Sequence, residues 1–357
     1  MSIHFHKLTI KEIRKETADC VSISFCVPAE LKDTFSFSQG QNITLRAVIN
    51  GEDVRRSYSI CSAPYEGDLR VAVKKTSHGL FSRYANEQLQ AGDTLEVLPP
   101  TGNFFTPLHP EHQKNYLAFA AGSGITPVIG IIKSTFATEP RSTFTLVYGS
   151  RTRSSVIFLE ELEGLKNKYL GRFNLIYILS GEKTETELNY GRIDTNKLGQ
   201  LRNLVDYKSF DDFFICGPEA MIFCIKDYLR GIEVDERKIH FELFTIPGKK
   251  NVQQKERVDT ALETKSRITI KLDGRSFDMY LASDGEDILD AALKQGIDLP
   301  FACKGGVCST CKAKLIEGAV EMDVNWALEP EEVEQGFILT CQSHPKTKEV
   351  VVDFDIK

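Results

Sequence analysis

Four late cysteines constrain this chain more than any other feature. Cys303, Cys308 and Cys311 form a C-x4-C-x2-C run, and Cys341 follows after 29 intervening residues. This is the thiolate spacing that holds a [2Fe–2S] cluster. Four thiolates must converge on two irons, so the loop between them has to wrap tightly. Gly305 and Gly306 let the backbone approach and aim N–H groups at the sulfurs. The competing reading is a zinc site. Zinc commonly takes two C-x2-C pairs, and Cys341 has no paired neighbour. Such a cluster carries one electron at a time and cannot accept a hydride. A two-electron donor must therefore be split elsewhere in the chain.

There is room for that. The 357 residues suffice for about two to three domains. Hydrophobic residues at 41% and charged residues at 26% suit a globular chain with several cores. A net charge of −6 disfavours a general nucleic-acid binder. Charge also divides the chain. Residues 266–357 carry 10 basic and 17 acidic side chains, whereas residues 1–265 carry 34 and 33. Between them, 247–266 is polar, charged and aperiodic, which predicts a linker.

The first residues lack the apolar core of a signal peptide. The uncharged run Asn115–Ile132 is broken by Gly122, Gly124, Pro127 and Gly130, so it reads as strand, turn and helix rather than a membrane span. The expected location is cytoplasmic, with neither membrane nor nucleic acid as partner. Nine cysteines in this length do not make a secreted disulfide scaffold. Cys20, Cys26, Cys61 and Cys224 read as small core residues.

Residues 1–110 alternate short β-rich runs with turn signals, predicting an antiparallel β-barrel. One helix, LFSRYANEQLQ, is expected to close at Gly92. Residues 111–246 alternate apolar strands (YLAFAAG, FTLVYG, FNLIYIL, DDFFICG) with helical stretches, predicting an α/β domain on a parallel sheet. Residues 267–357 read as strand, strand, helix and cysteine loop. Trp326 and the acidic segment ALEPEEVE are expected to be surface structure of this last module.

Two constellations suit a two-electron donor. In the first, Arg56-Ser57-Tyr58-Ser59 lies on a barrel strand. VAVKK, with Val73 and Lys74, follows, and then Gly79-Leu80-Phe81-Ser82 opens a helix. Arg56 can fork onto a pyrophosphate, Tyr58 can stack on a flavin ring, and Ser59 can bond near its N5. Gly79–Ser82 offers N–H groups at a helix start, a natural phosphate site. Taken alone, R-x-Y-S is equally an ordinary amphipathic strand.

In the second, Gly122-Ser123-Gly124-Ile125-Thr126-Pro127 follows a strand and opens a helix, admitting a pyrophosphate close to the backbone. Cys216-Gly217-Pro218 ends a later strand in the same way. Ligands of such sheets bind at the carboxyl ends of strands. After the second strand come Ser150 and Arg151, then Thr152 and Arg153. An arginine there suits the 2′-phosphate of NADPH, whereas an acidic residue would suit NADH. The plain alternative is a solvated loop. Cys216 is equally readable as a small strand-end residue.

In this order, the flavin motif, AGSGITP, CGP and the cysteine loop resemble the ferredoxin–NADP reductase superfamily, in the subgroup with a C-terminal plant-type ferredoxin domain found in reductase components of bacterial oxygenases. The resemblance covers essentially the whole chain and implies a β-grasp fold for 267–357. It implies FAD on Arg56, Tyr58, Ser59 and Gly79–Ser82, and the nicotinamide dinucleotide on Gly122, Gly124 and Thr126. It sets Cys216 beside the reacting rings, with Ser59 and Cys216 in catalytic roles, and it puts the cluster on Cys303, Cys308, Cys311 and Cys341. Plant-type members end in an aromatic residue over the flavin. Here the reductase part runs on through HFELF into the linker, and Phe244 is the candidate cover, or else a core strand residue. The implied route runs from NADPH through FAD and the cluster to a separate di-iron oxygenase, docked transiently by the acidic ferredoxin module. Two rivals remain: a reductase for a Rieske oxygenase or desaturase using FMN and NADH, and a redox sensor without turnover.

Overall fold

The computed structural model describes residues 4–244 and 265–356. The predicted linker 247–266 therefore lies outside the described residues except at its end. There it is corrected, because Ser266 is already the first residue of a strand.

Alternating apolar residues build the first unit. Strands β1 (His6–Thr17), β2 (Cys20–Cys26), β3 (Asn42–Ile49), β4 (Glu52–Ser59), β5 (Leu69–Lys74) and β6 (Thr94–Val97) form one antiparallel sheet in the order β4-β3-β6-β1-β2-β5. A bridge between Ile60 and Val71 joins its two ends and closes it as a barrel. Leu8, Ile23, Ile43, Leu45 and Val71 fill the interior without exposure. Helix α1 (Leu80–Glu87) caps one opening with Phe81 and Ala85. It stops short of the predicted Gly92, which instead serves a turn at φ +96° leading into β6.

The second unit is a five-stranded parallel sheet. Strands β7 (Asn115–Ala121), β8 (Thr143–Ser150), β9 (Phe173–Leu179), β10 (Asp212–Cys216) and β11 (Ile239–Glu242) lie in the order β11-β10-β7-β8-β9. Helices α2 (Ile125–Thr138) and α3 (Leu159–Lys168) pack in the core on one face, and α4 (Thr195–Leu201) and α5 (Glu219–Gly231) in the core on the other. Burial on both faces explains the unbroken apolar strands. The order reverses between β7 and β10, and the carboxyl ends of these two strands open at that switch point.

The third unit is a mixed sheet, β13-β12-β18-β14-β16. Its strands are β12 (Ser266–Leu272), β13 (Arg275–Leu281), β14 (Lys312–Glu317), β16 (Phe337–Leu339) and β18 (Glu349–Asp353). Strand β12 pairs in parallel with β18, and helix α6 (Ile288–Lys294) packs its Ile288, Leu289 and Ala292 onto the sheet. A small ladder, β15 (Val320–Met322) with β17 (Ser343–Pro345), and the short helix α7 (Pro330–Glu334) complete this β-grasp unit. Among the described residues no helix is long and apolar enough to cross a membrane.

Trp326 and the acidic segment lie at the surface of the third unit, with Glu329, Glu331 and Glu334 exposed, and two of their side chains contact the other units. Trp326 meets Phe223 of α5 edge-on at 5.6 Å, and Asn103 donates to Glu332 at 2.8 Å. Through Trp326 and Glu332 this surface also joins the third unit to the other two. An indole on a chain's surface is well placed for such contact, because burying it removes much apolar area from water.

Candidate functional site

One cleft of about 580 Å³ opens where the three units meet. This is within the usual range for small-molecule and cofactor sites. Strand β4 contributes Arg56, Ser57, Tyr58 and Ser59, and β5 contributes Lys74. Arg56 lines this space, whereas Arg55 lies outside it, paired with Asp53 at 2.9 Å. Gly79, Phe81 and Ser82 line it from the start of α1. A Cβ on Gly79 would stand 2.2 Å from both Ser82 Oγ and Thr76 Oγ1, so a larger residue would displace these hydroxyls from the corner. Ser82 Oγ donates to Gly79 O at 3.2 Å and accepts from Thr76 N, which shapes a tight anion-sized turn.

The nucleotide sheet supplies Ser123 and Thr126 to the same space. Gly124 is packed so closely that a Cβ would lie 2.0 Å from Cys216 O. The turn after β7 therefore rides directly on the end of β10, bringing AGSGITP and CGP together. Tyr148 OH donates to Gly122 O at 3.0 Å and holds that turn from beneath. Gly217 is also closely packed, with Met221 Cε 2.7 Å and Ala121 N 3.2 Å from its Cβ position. Pro127 is buried in the first turn of α2, and Pro218 precedes α5.

Not every predicted residue reaches the cleft. Val73 points into the barrel core and Leu80 packs against that core. Ser150 and Arg151 sit at the end of β8, where Ser150 Oγ bonds Ser155 Oγ at 2.9 Å. Arg153 is tied to Glu163 at 3.5 Å, and its N–H donates to Glu182. Arg151 is exposed, and among the described residues no carboxylate pairs with it. Cys216 is fully buried, and that burial holds its thiol well above the usual range, so it stays protonated. Phe244 is exposed at 42% and lines the cleft, so it is not a core strand residue.

The sequence reading missed Glu242. It faces Cys216 across the β10–β11 register and lines the cleft beside Phe244. Ser59 Oγ donates to its Oε2 at 3.0 Å. Desolvation raises its carboxyl to about 7, only partly opposed by that hydrogen bond. An acidic residue in HFELF carries no local pattern. Its signal is the register that places it opposite Cys216.

The third wall is the cysteine loop, with Ala302, Cys303, Val307 and Cys308. Cys303 and Cys308 Sγ stand 3.2 Å apart. Gly305 N donates to Cys303 Sγ at 3.4 Å, and Gln342 Nε2 approaches Cys341 Sγ at 3.6 Å. Gly306, at φ +73°, has Val324 Cγ2 3.0 Å from its Cβ position. Cys311 and Cys341 lie under the β-grasp core at 1% and 3% exposure. An all-thiol donor set with N–H donors at the sulfurs fits a two-iron cluster. The edge of Cys303 and Cys308 faces the cleft.

Residues 7–106 match the oxidoreductase FAD-binding domain, 119–227 the oxidoreductase NAD-binding domain and 270–346 the 2Fe-2S iron-sulfur cluster binding domain. Over 357 residues the chain is 46% identical to one of the subunits of 1,2-phenylacetyl-CoA epoxidase from Escherichia coli (strain K12), covering 99% of this chain and 98% of that one. The chain belongs to the oxygenase reductases of the ferredoxin–NADP reductase superfamily. This reductase is also 35% identical to the ferredoxin reductase component of 3-ketosteroid-9-alpha-monooxygenase from Rhodococcus rhodochrous, over 97% of its own length and 96% of that chain's. Its fold is that of phthalate dioxygenase reductase, with a TM-score of 0.59 and 24% identity across 98% of both chains. It is an oxidoreductase with FAD, nicotinamide-nucleotide and [2Fe–2S] domains, the reductase component of an oxygenase.

Proposed function

We propose that this chain is the NADPH-dependent reductase of a di-iron oxygenase that epoxidises phenylacetyl-CoA in aerobic phenylacetate catabolism. The observation that carries the reading is the shared cleft. Barrel, nucleotide sheet and the Cys303–Cys308 edge all open onto one space. Near-full-length identity to the phenylacetyl-CoA epoxidase component supports the substrate pathway, and stretches such as RRSYSICS, GLFSRYA, FICGPEAM and DLPFACKGGVCSTCKAKL carry the likeness.

In this reading FAD lies within 1–110, NADPH within 111–246 and the cluster within 267–357. Bound together, these groups convert a hydride's electron pair into single electrons. The protein's task is positioning. Arg56 forks onto the flavin pyrophosphate and the Gly79–Ser82 turn receives phosphate oxygens. Tyr58 and Phe244 bound the ring's two sides. The Gly122–Thr126 turn and Gly217 would hold the nicotinamide dinucleotide at the same cleft. Ser59 Oγ and Glu242 Oε2 form a hydroxyl–carboxyl pair that can hold or release a proton near neutral pH at the wall of the cleft. Arg151 takes the 2′-phosphate, which favours NADPH. The acidic third unit then docks on a basic patch of the oxygenase through a small, salt-sensitive encounter.

The test is to mix the holoprotein with the oxygenase components and follow NADPH oxidation and ring-epoxide formation with and without phenylacetyl-CoA. Coupled turnover requiring both substrate and this chain supports the reading. Fast bleaching of flavin and cluster without coupling discards the named pathway, and preference for NADH with a Rieske partner would replace it.

A further inference from the structure

Only one edge of the cysteine cage faces the cleft, so the distance from flavin to cluster depends on how the third unit is seated. The seat is visible on the barrel. Arg55, whose side chain is 3% exposed, reaches across to the segment that leads into Cys303. Its Nη2 donates to Asp298 Oδ1 at 2.6 Å and its Nη1 to Leu299 O at 3.2 Å. Its guanidinium lies 4.3 Å from the Phe301 ring centroid. On the barrel side Asp53 holds the same guanidinium at 2.9 Å. Arg46 stands by as a second cation, 3.7 Å from Asp298.

A second set of contacts grips the dipeptide between two cluster ligands. Thr44 Oγ1 lies 3.0 Å from Ser57 Oγ and 3.1 Å from Thr310 Oγ1, and Ser57 Oγ lies 3.3 Å from Thr310 Oγ1. Thr101 Oγ1 lies 3.2 Å from Ser309 Oγ. Register explains why one strand does both jobs. Ser57 pairs with Thr44 and Arg55 with Arg46, and residues two apart share a face of β4. The interface is polar and incompletely filled, with a gap of about 200 Å³ between Leu98–Asn103 and Ser309–Lys312. Polar, loosely packed contacts between units of one chain behave like transient interfaces.

We propose that Arg55, with the Thr44–Ser57–Thr101 hydroxyls, is the positioning device that seats the cysteine loop against the flavin cleft and so sets the rate of the flavin-to-cluster step. No bond forms or breaks at the seat. The electron passed is the one the reductase activity supplies, one per transfer. The idea rests on the cleft being the flavin site and the Cys303–Cys308 edge being its outlet.

The test uses the full-length holoprotein and three variants: Arg55→Gln, Asp298→Asn and the double. Stopped-flow mixing with NADPH follows flavin bleaching and cluster bleaching separately. Hydrogen exchange reports the amides of 298–303 and 308–312. Each single variant slows cluster bleaching about tenfold, since charge-assisted hydrogen bonds are the stronger class. The double is no slower than the worse single, because both changes remove one contact. Amide exchange in both segments rises by a similar factor, while flavin bleaching and ferricyanide reduction stay within about twofold. Unchanged cluster bleaching, additive singles, or loss of the cluster spectrum in Asp298→Asn, which alters an exposed carboxylate, would overturn the proposal. A wild-type flavin that NADPH fails to bleach would sink the underlying site reading instead, and that outcome is distinguishable at once.

Discussion

Glu242 offers the most quantitative prediction. Its carboxyl sits against Ser59 in the cleft and is raised from 4.5 to about 7, with burial the dominant cause. Between these two values the folded chain keeps a proton that the unfolded chain has lost. The unfolding free energy therefore falls as pH rises from about 4.5 to about 7. The stabilising contribution is complete below 4.5 and gone above 7. The linked free energy is on the order of 3 kcal/mol. That is an upper value, because Glu242 as a residue is only half-buried. Glu242→Gln stays neutral throughout and keeps an oxygen for Ser59 Oγ. Variant and wild type should be equally stable near pH 4.5, and the variant more stable by up to about 3 kcal/mol at pH 8. Unfolding at a series of pH values, followed by release of flavin fluorescence, measures the difference. Infrared spectroscopy of the holoprotein should show a carboxylic C=O band titrating away near pH 7 and missing from the variant. A stability difference that is flat with pH, or a band that titrates near 4.5, would refute the reasoning.

Other perturbations separate the remaining parts of the site. Gly124→Ala drives a methyl into the Cys216 carbonyl. It should weaken nicotinamide binding at least tenfold and cost about 2 kcal/mol or more of stability, read by nucleotide titration of the flavin spectrum and by thermal melting. Arg151→Ala should raise KM for NADPH about tenfold and leave that for NADH unchanged, a split visible in steady-state kinetics. Cys308→Ser removes a ligand on the cleft-facing edge. It should abolish the cluster's visible absorbance and its iron and sulfide content while NADPH-driven ferricyanide reduction persists, because that reaction stops at the flavin.

The three-unit architecture was legible because each unit has a different period. The barrel strands alternate, the parallel strands are continuously apolar, and the cysteine loop has fixed spacing. Glycines at 124 and 306 were legible as close approaches: a Cβ at 124 would meet the Cys216 carbonyl at 2.0 Å, and 306 adopts φ +73°. Residues defined by long-range contact were not. Glu242 matters through its register with Cys216 and its bond to Ser59, 183 positions away. Arg55 was not singled out at all, because its partners Asp298 and Leu299 lie more than 240 positions away. Trp326 read as surface because its partner, Phe223, belongs to another unit. Val73 and Leu80 sat within motif stretches, yet their side chains serve the barrel core.

The seat between Arg55 and Asp298 joins two parts of one chain, and that has a consequence for dilution. The cysteine loop meets the barrel at an effective concentration set by covalent linkage, not by how much protein is present. Cluster bleaching should therefore proceed at the same rate in a dilute and in a concentrated sample. Only the onward exchange with the oxygenase is bimolecular. A dilution series would split turnover into a concentration-independent internal leg and a concentration-dependent outgoing one, and scarcity of the partner, rather than of the reductase's own cluster, would then limit flux in the cell.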